Sequence, residues 1–144
     1  MTTSRDSPRA DVELRMPADG AYVSVLRSTA AGLASRLDFD LSNIEDLRVA
    51  VGEACALALP EAAEDSSLTA DFYLSASHLT VSVAVTGAEV RPPDRESFAW
   101  QVLDTLAAGA TAEVDDDRLA ITLTVGAQPV TQPVTQPVTE PASG

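Results

Sequence analysis

The sequence predicts an α+β domain in which an antiparallel sheet carries its helices on one face. Apolar and polar residues alternate in five segments, as in half-buried strands, and apolar residues recur at helical spacing in three others. The order of these segments is β-α-α-β-β-α-β-β, and covering one face of a sheet with the helices is the simplest packing of that order. The 144 residues, 45% of them hydrophobic, can bury one sizeable core.

The N-terminal part of this order is one strand and one helix. "DVELRMP", residues 11–17, alternates apolar and polar residues, which predicts a strand. Its apolar face consists of Val12, Leu14 and Met16. Asp19 can cap the helix that follows, because its carboxylate can accept from backbone N–H groups at a helix start. The apolar positions of that helix are Tyr22, Val25, Leu26, Ala30, Leu33 and Leu37.

A second helix is predicted to begin at Ser42 and to end before Pro60. Ser42 and Glu45 have the spacing of a capping box. The apolar stripe is Ile44, Leu47, Val51, Ala54, Cys55 and Ala58. Glu53 lies almost opposite the centre of this stripe. Small or apolar residues flank it on that face: Val49, Ala50, Ala56 and Leu57. Two interpretations of Glu53 stay open, a base in a sheltered cleft and a solvated helix residue.

The C-terminal half of the domain predicts two hairpins with a helix between them. "LTADFYLS" and "HLTVSVAVTG" alternate like strands and are joined by a short turn at Ala76 and Ser77. "RESFAWQVLDTLAAG" predicts a third helix, which Gly109 ends. "TAEV" and "LAITLTV" then predict a hairpin across the polar turn "DDDR".

The acidic composition indicates which classes of molecule the protein is suited to bind. The chain has 22 acidic residues against 9 basic ones, all of them Arg, for a net charge of −13. Phosphate backbones and anionic lipids repel such a chain, so nucleic acid and membrane surfaces are poor partners. A basic protein partner fits better, although acidity can also serve solubility alone. With one cysteine, no apolar run near the ~20 residues of a membrane helix and no signal core, we expect a soluble, cytoplasmic protein.

The two ends differ in composition from the part between them. Residues 128–144, "QPVTQPVTQPVTEPASG", repeat Gln-Pro-Val-Thr three times, and proline at every fourth position blocks helix formation. Residues 1–9 are polar. We therefore expect a flexible N-terminus at 1–9, one folded domain at 10–127 and a disordered tail at 128–144.

Isolated reactive residues offer little chemistry. His78 falls at a predicted hairpin turn with no second histidine to share a metal, and Asp115–Asp117 lacks the ligand spacing of a calcium loop. Cys55 lies on an apolar stripe, which predicts a buried structural thiol. The sequence has neither a G-x-G-x-x-G fingerprint nor a P-loop.

The segment "IEDLRVAVGEACALAL", residues 44–59, changes this interpretation. It resembles the asparagine box, E-A-x-x-N-A, of RsbW-type (UsfX-like) anti-sigma factors that double as serine-protein kinases. These belong to the GHKL histidine-kinase-like ATPase superfamily, and the resemblance extends from the first predicted strand to the last. It implies a two-layer α/β sandwich with a mostly antiparallel mixed sheet and three helices on one face. It also implies a cytoplasmic homodimer.

When the family's residues are compared with this sequence one by one, the catalytic base matches but the nucleotide-binding residues differ. Glu53 matches the family's glutamate, which activates the serine hydroxyl of the protein substrate. The magnesium-binding asparagine falls on Leu57, whose side chain has no oxygen to bind a hard cation. In the first glycine box the adenine-reading aspartate falls on Val85, and only Gly87 remains. The second glycine box falls on Ser97 to Ala99, where Cβ atoms and the Phe98 ring would crowd phosphates. Nine residues, "AEVRPPDRE", stand where the family has a longer lid.

The resemblance therefore implies a binding module on a degenerate kinase fold, with no cofactor. Such a protein would sequester a stress or sporulation sigma factor and block transcription initiation until an anti-anti-sigma (STAS-domain) protein released it, by partner switching. Arg27 and Tyr22, on the first helix, match the family's partner-binding surface. Two alternatives stay open. One is an active kinase that uses ATP and Mg, and the other is a small-molecule sensor that uses the vacated pocket.

Overall fold

The computed structural model describes residues 9–126, and the predictions for residues 1–8 and for the tail lie outside them. The strands are β1 (Val12–Pro17), β2 (Ser67–Leu74), β3 (His78–Thr86), β4 (Gly109–Asp115) and β5 (Arg118–Gly126). The α-helices are α1 (Val23–Arg36), α2 (Leu41–Ala58) and α3 (Phe98–Leu106). Short 3₁₀ turns at Gly20–Tyr22 and Leu59–Glu61 precede α1 and follow α2. The predicted order of strands and helices is confirmed.

The five strands form one sheet in the order β1-β2-β3-β5-β4. All four neighbouring pairs are antiparallel, so the described residues contain no parallel pair of the kind that a mixed sheet would have. The helices pack on one face of this sheet, with α2 in contact with α1, α3, β3 and β5. The predicted α+β class and its two layers are confirmed.

The core lies between the sheet and the helices because the strand alternation puts one apolar set on that face. These inward residues are buried: Leu68, Ala70, Phe72, Leu79, Val81, Val83, Val85, Leu119, Ile121, Leu123 and Val125. The opposite face carries hydroxyl side chains that pair across strands. Thr80 Oγ1 lies 2.9 Å from Thr124 Oγ1, and Thr122 donates to Ser82 at 3.0 Å. These pairs satisfy polar groups on a face that no helix covers in the described part of the chain.

Two of the predicted helix starts are wrong. The cap of α2 is Asp40, whose carboxylate accepts from the Asn43 amide at 2.9 Å, and not Ser42 with Glu45. The extended backbone of Asp40 places its carboxylate over the first turn, so the helix already begins at Leu41. Asp19 caps the 3₁₀ turn before α1, where it accepts from the Ala21 amide at 2.9 Å. A capping side chain was predicted correctly there, but for the wrong turn.

The end of α3 also differs from the prediction. The helix stops at Leu106 and not at Gly109, which is the first residue of β4. The Ala108 amide donates to the Thr124 carbonyl at 2.7 Å, so pairing with β5 draws the chain out of the helix earlier. The β4–β5 hairpin closes through Asp116 and Asp117. Asp116 has φ 59°, a left-handed conformation that aspartate tolerates, and the predicted polar turn is confirmed.

Candidate functional site

A small cleft separates the end of α2 from the segment that follows β3, and we call it the α2 cleft. Its volume is about 390 Å³, at the low end of the roughly 300–1,000 Å³ typical of small-molecule sites. It is lined by Ala56, Leu57, Pro60, Glu61, Arg91, Pro92, Pro93, Asp94 and Ser97. Leu57 and Ser97, two of the four positions at which the resemblance places altered nucleotide ligands, therefore share one cleft.

Several polar side chains of the α2 cleft already have partners within the chain. Glu61 Oε1 accepts from the Arg91 amide at 2.9 Å, which ties the segment after β3 to the end of α2. Asp94 accepts from the Glu96 amide at 2.9 Å. The Ser97 hydroxyl accepts from the Trp100 amide at 3.2 Å and so caps α3. These groups hold the cleft's own walls in place.

Gly87 is buried at the point where the segment after β3 leaves the sheet. Its amide donates to the Asp117 carbonyl at 2.9 Å. A Cβ at this position would collide with the carbonyl oxygen of Glu61 and would lie 3.4 Å from Val90 Cγ1. The packing of the chain against itself is therefore enough to require a glycine here, and the predicted nucleotide contact stays a prediction.

The altered positions have structural roles of their own. Leu57 is partly buried and packs against the core, and Val85 is fully buried on the inward face of β3. Ala99 is half-buried on α3. Phe98 is 80% exposed at the start of α3 and does not line the α2 cleft, and the crowding of a phosphate by its ring stays a prediction. Leu57 supplies only hydrocarbon to this cleft, so it could not take the place of the family's asparagine as a magnesium ligand.

Glu53 lies one turn before Leu57 on α2 and is half-buried. It does not line the α2 cleft, and its carboxylate forms no hydrogen bond or ion pair with any residue between 9 and 126. Of the small residues predicted to surround it, Ala50 is buried whereas Val49 and Ala56 are exposed. The shelter expected around Glu53 is therefore partial, and its role as a base stays a prediction.

Arg27 extends from α1 across α2. A Cβ on Gly52 would lie 2.8 Å from Arg27 Nη1, so the bare backbone of Gly52 provides the space for this guanidinium. Cys55 is fully buried nearby, as predicted. Burial raises the pKa of its thiol to about 11, and the Arg27 charge acts in the opposite direction. The sequence contained one signal for the contact between Arg27 and Gly52, namely a glycine inside a helix. Glycine in that position is destabilising by roughly 0.5–1 kcal/mol relative to alanine.

The outer surface of α1 and α2 exposes apolar side chains next to Arg27. Tyr22 precedes α1 and is 39% exposed, and Val25 on α1 and Val49 on α2 are exposed to a similar extent. Arg27 itself is half-buried. Tyr22 and Arg27 thus belong to the same end of α1, and their contact with a partner stays a prediction.

The remaining chemically active residues do not assemble into a site. His78 is exposed, with its Nδ1 3.0 Å from the Ser77 hydroxyl in the predicted hairpin turn. Across residues 9–126, no three His, Cys, Asp or Glu side chains are grouped so that they could hold a metal ion. No helix in the same range is long and apolar enough to cross a membrane.

No family model matches the chain. Among curated proteins it is similar to "Serine-protein kinase RsbW" of Bacillus velezensis, with 37% identity over 90 residues, which are 60% of this chain and 54% of the relative. The proteins of the same name from Bacillus pumilus and Bacillus cereus are 36% identical over 81 residues and 35% over 78, or 53% of this chain in each case. The alignments cover 50% and 49% of those relatives, so the chain spans about half the length of the curated relatives it matches. The predicted resemblance to RsbW-type proteins is thereby confirmed.

Proposed function

We propose that this protein is an anti-sigma factor that binds a stress or sporulation sigma factor, blocks transcription initiation and yields it to an anti-anti-sigma (STAS-domain) protein. The observation that carries the proposal is the position and packing of Leu57. This residue stands at the metal-ligand position of the family, yet it packs against the core and presents hydrocarbon to the α2 cleft. Binding is retained in this proposal, and phosphoryl transfer is not.

The chemistry of phosphoryl transfer supports this division. Transfer from ATP depends on positioning the phosphates and on neutralising their charge with a metal ion. In the α2 cleft the carboxylate of Glu61 holds the Arg91 amide and the hydroxyl of Ser97 holds the Trp100 amide. These hydrogen bonds give both side chains a role within the chain, in holding the segment after β3 and the start of α3. We therefore propose that the protein acts without ATP, Mg or another cofactor.

The surface of α1 offers the features of a protein-binding site. Tyr22 and Val25 are exposed apolar side chains, and aromatic and arginine residues are enriched among those that dominate binding energy. Arg27 already rests on Gly52, so less side-chain entropy is lost when a partner orders it. The net charge of −13 would speed association with a basic sigma factor more than it would strengthen the complex. We further propose that the protein acts in the cytoplasm, as a homodimer that grips one sigma factor.

The test is run-off transcription by candidate sigma factors with increasing amounts of this protein. Wild type and Glu53→Ala should inhibit equally, since binding does not need a base. Tyr22→Ala and Arg27→Ala should weaken inhibition roughly 10-fold if they are central to the interface. Arg36→Ala is the matched control, because it removes the same charge from the exposed end of α1. Loss of inhibition in a folded Glu53→Ala protein would contradict the proposal.

An ATP-dependent serine-protein kinase is the second candidate. Two observations favour it: the curated relatives carry that name, and Glu53 stands at the position of the catalytic base. Calorimetric titration with Mg-ATP separates the candidates, because a binding module should release no heat of binding. Radiolabelled ATP with a candidate anti-anti-sigma protein provides the second measurement. Phosphoserine that disappears in Glu53→Ala would establish the kinase and overturn a function limited to binding.

A further inference from the structure

The face of the sheet opposite the helices contains a cleft that the proposed function does not use. We call it the outer cleft; its volume is about 320 Å³. The side chains that matter for its chemistry are Arg15, Ser67, Thr69, Ala84, Thr86 and Arg118. They come from β1, β2, β3 and β5, so four neighbouring strands build the cleft on a rigid part of the fold.

The small side chain of Ala84 explains why a depression forms at this point, and a second alanine lies beside it. Ala84 and Ala120 are paired across β3 and β5, and both point away from the core because their neighbours Val83 and Ile121 point inward. Although no helix covers this face in residues 9–126, Ala84 is only 3% exposed and Ala120 is 9% exposed. The surrounding longer side chains therefore cover both methyl groups, and Ala84, which lines the cleft, forms a low floor between taller walls.

The two arginines stand on opposite sides of this floor. Arg15 pairs with Thr69 and Thr69 with Ala84, so Arg15 is in register with the floor at the β1 edge. Arg118 pairs with Thr86, one step further along the same face. Both arginines line the cleft. Their charges thus approach the same space from two directions.

The guanidinium groups keep free donors. Arg15 Nε donates to the Ser67 hydroxyl at 3.2 Å, which orients the group and leaves both of its η nitrogens without an acceptor among residues 9–126. The guanidinium of Arg118 forms no hydrogen bond or ion pair with any residue that the structure describes. Thr69 and Thr86 add hydroxyl groups to the wall. An arginine fork matches the planar geometry of a carboxylate or phosphate group.

Acidic groups near the cleft repel an anion and so limit where in the cleft it can bind. Asp65 also lines the cleft, although neither arginine forms an ion pair with it. Burial and then Asp71 and Glu13 raise the pKa of Tyr73 on this face, whereas the Arg118 charge lowers it. A ligand must therefore bind close to both guanidinium groups, where their short-range attraction exceeds the repulsion of the acidic chain.

We propose that the outer cleft binds a small oxyanion, the phosphate or carboxylate group of a small molecule, between Arg15 and Arg118. The cleft lies on the other face of the sheet from α1 and the α2 cleft, so it does not overlap the surface proposed to bind the sigma factor. Its affinity should fall as ionic strength rises, because both arginines are exposed to solvent.

The experiment is a titration of the full chain, labelled with ¹⁵N, at low ionic strength. Inorganic phosphate and succinate are the two probes, and they distinguish a phosphate ligand from a dicarboxylate. Sodium chloride at matched ionic strength is the solvent control. We expect saturable shifts of the Thr69, Ala84 and Thr86 amides with at least one probe.

Three charge-neutralising variants decide whether the site is the one proposed. Arg15→Gln and Arg118→Gln should each weaken binding roughly 10-fold, because each removes charged hydrogen bonds to the ligand. Arg36→Gln, on α1 across the sheet, removes one charge as well and should leave the affinity unchanged. Thermal unfolding of each variant verifies the fold. Equal effects of Arg15→Gln and Arg36→Gln, or no saturable shift with either probe, would overturn the proposal.

Discussion

Gly87 allows a direct test of how the segment after β3 is held. In a Gly87→Ala protein the new Cβ would meet the Glu61 carbonyl oxygen, and it would also lie 3.3 Å from the Glu61 carbonyl carbon. Both atoms belong to the backbone of a 3₁₀ turn, so they cannot rotate away as the end of a side chain could. One of the two segments must therefore shift.

The size of the effect follows from the contacts that such a shift disturbs. Forcing extra volume into a packed site typically costs about 1–3 kcal/mol. The same shift strains two backbone hydrogen bonds of 2.9 Å, from Gly87 to Asp117 and from Ala63 to Thr86, each worth about 1 kcal/mol. We expect Gly87→Ala to lower the free energy of unfolding by about 2–4 kcal/mol. Urea denaturation followed by the fluorescence of Trp100, the single tryptophan, measures it.

Gly32→Ala is the matched control for this measurement. Gly32 is exposed on α1, and apart from the neighbouring backbone of the same helix a Cβ there would have no atom within 4 Å. Alanine should therefore stabilise the helix by about 0.5–1 kcal/mol. If Gly87→Ala proves as harmless as Gly32→Ala, the tight approach of Gly87 to the Glu61 carbonyl is refuted as the reason for the glycine.

Three further predictions concern the Cys55 thiol, the Asp40 cap and the contact between Arg95 and Trp100. Because the pKa of the Cys55 thiol is raised from 9.0 to about 11, the folded state keeps a proton that the unfolded chain loses, and stability should fall between pH 9 and 11. The loss should be about 2–3 kcal/mol, and thermal unfolding of Cys55→Ala should lack this slope; an equal slope in both proteins would contradict it. Asp40→Ala should cost about 1 kcal/mol in urea denaturation, whereas Ser42→Ala should change little, and the reverse order would restore Ser42 as the cap. Arg95 lies 4.4 Å above the Trp100 ring, so Arg95→Gln should cost about 0.5–1 kcal/mol and change the tryptophan fluorescence; an unchanged spectrum would count against this contact.

The order of strands and helices could be predicted because each depends on a local period. Alternation with a period of two identified all five strands, and the apolar stripe of α2 marks the side that the structure buries. The helix starts could not be predicted as well, since several residues near each start were able to cap. Before α2 the choice is made by tertiary structure: Phe39 is buried and Asp38 takes a left-handed φ of 62°, which together bring Asp40 to the cap position.

The candidate site could be predicted only as far as residue types decide it. That Leu57 cannot bind a metal ion follows from its side chain alone. Where each side chain lies follows from packing between distant segments, which leaves no local pattern. That Phe98 is exposed at the start of α3, for example, has no signal in its neighbouring residues. Arg27 was expected on a free surface, yet it rests on Gly52, which is 25 positions away in the chain.

The two positions that decide between a kinase and a binding module differ in what the fold requires of them. Leu57 is part of the packing around the core, so an oxygen ligand at that position would remove apolar contacts from the end of α2. Glu53 is half-buried and has no partner in the described structure, so the fold itself does not depend on a carboxylate there. A half-exposed glutamate can be solvated by water and needs no catalytic role to be tolerated. The fold therefore tolerates the glutamate without giving it a catalytic role, whereas the leucine both fills the edge of the core and lacks a ligand atom.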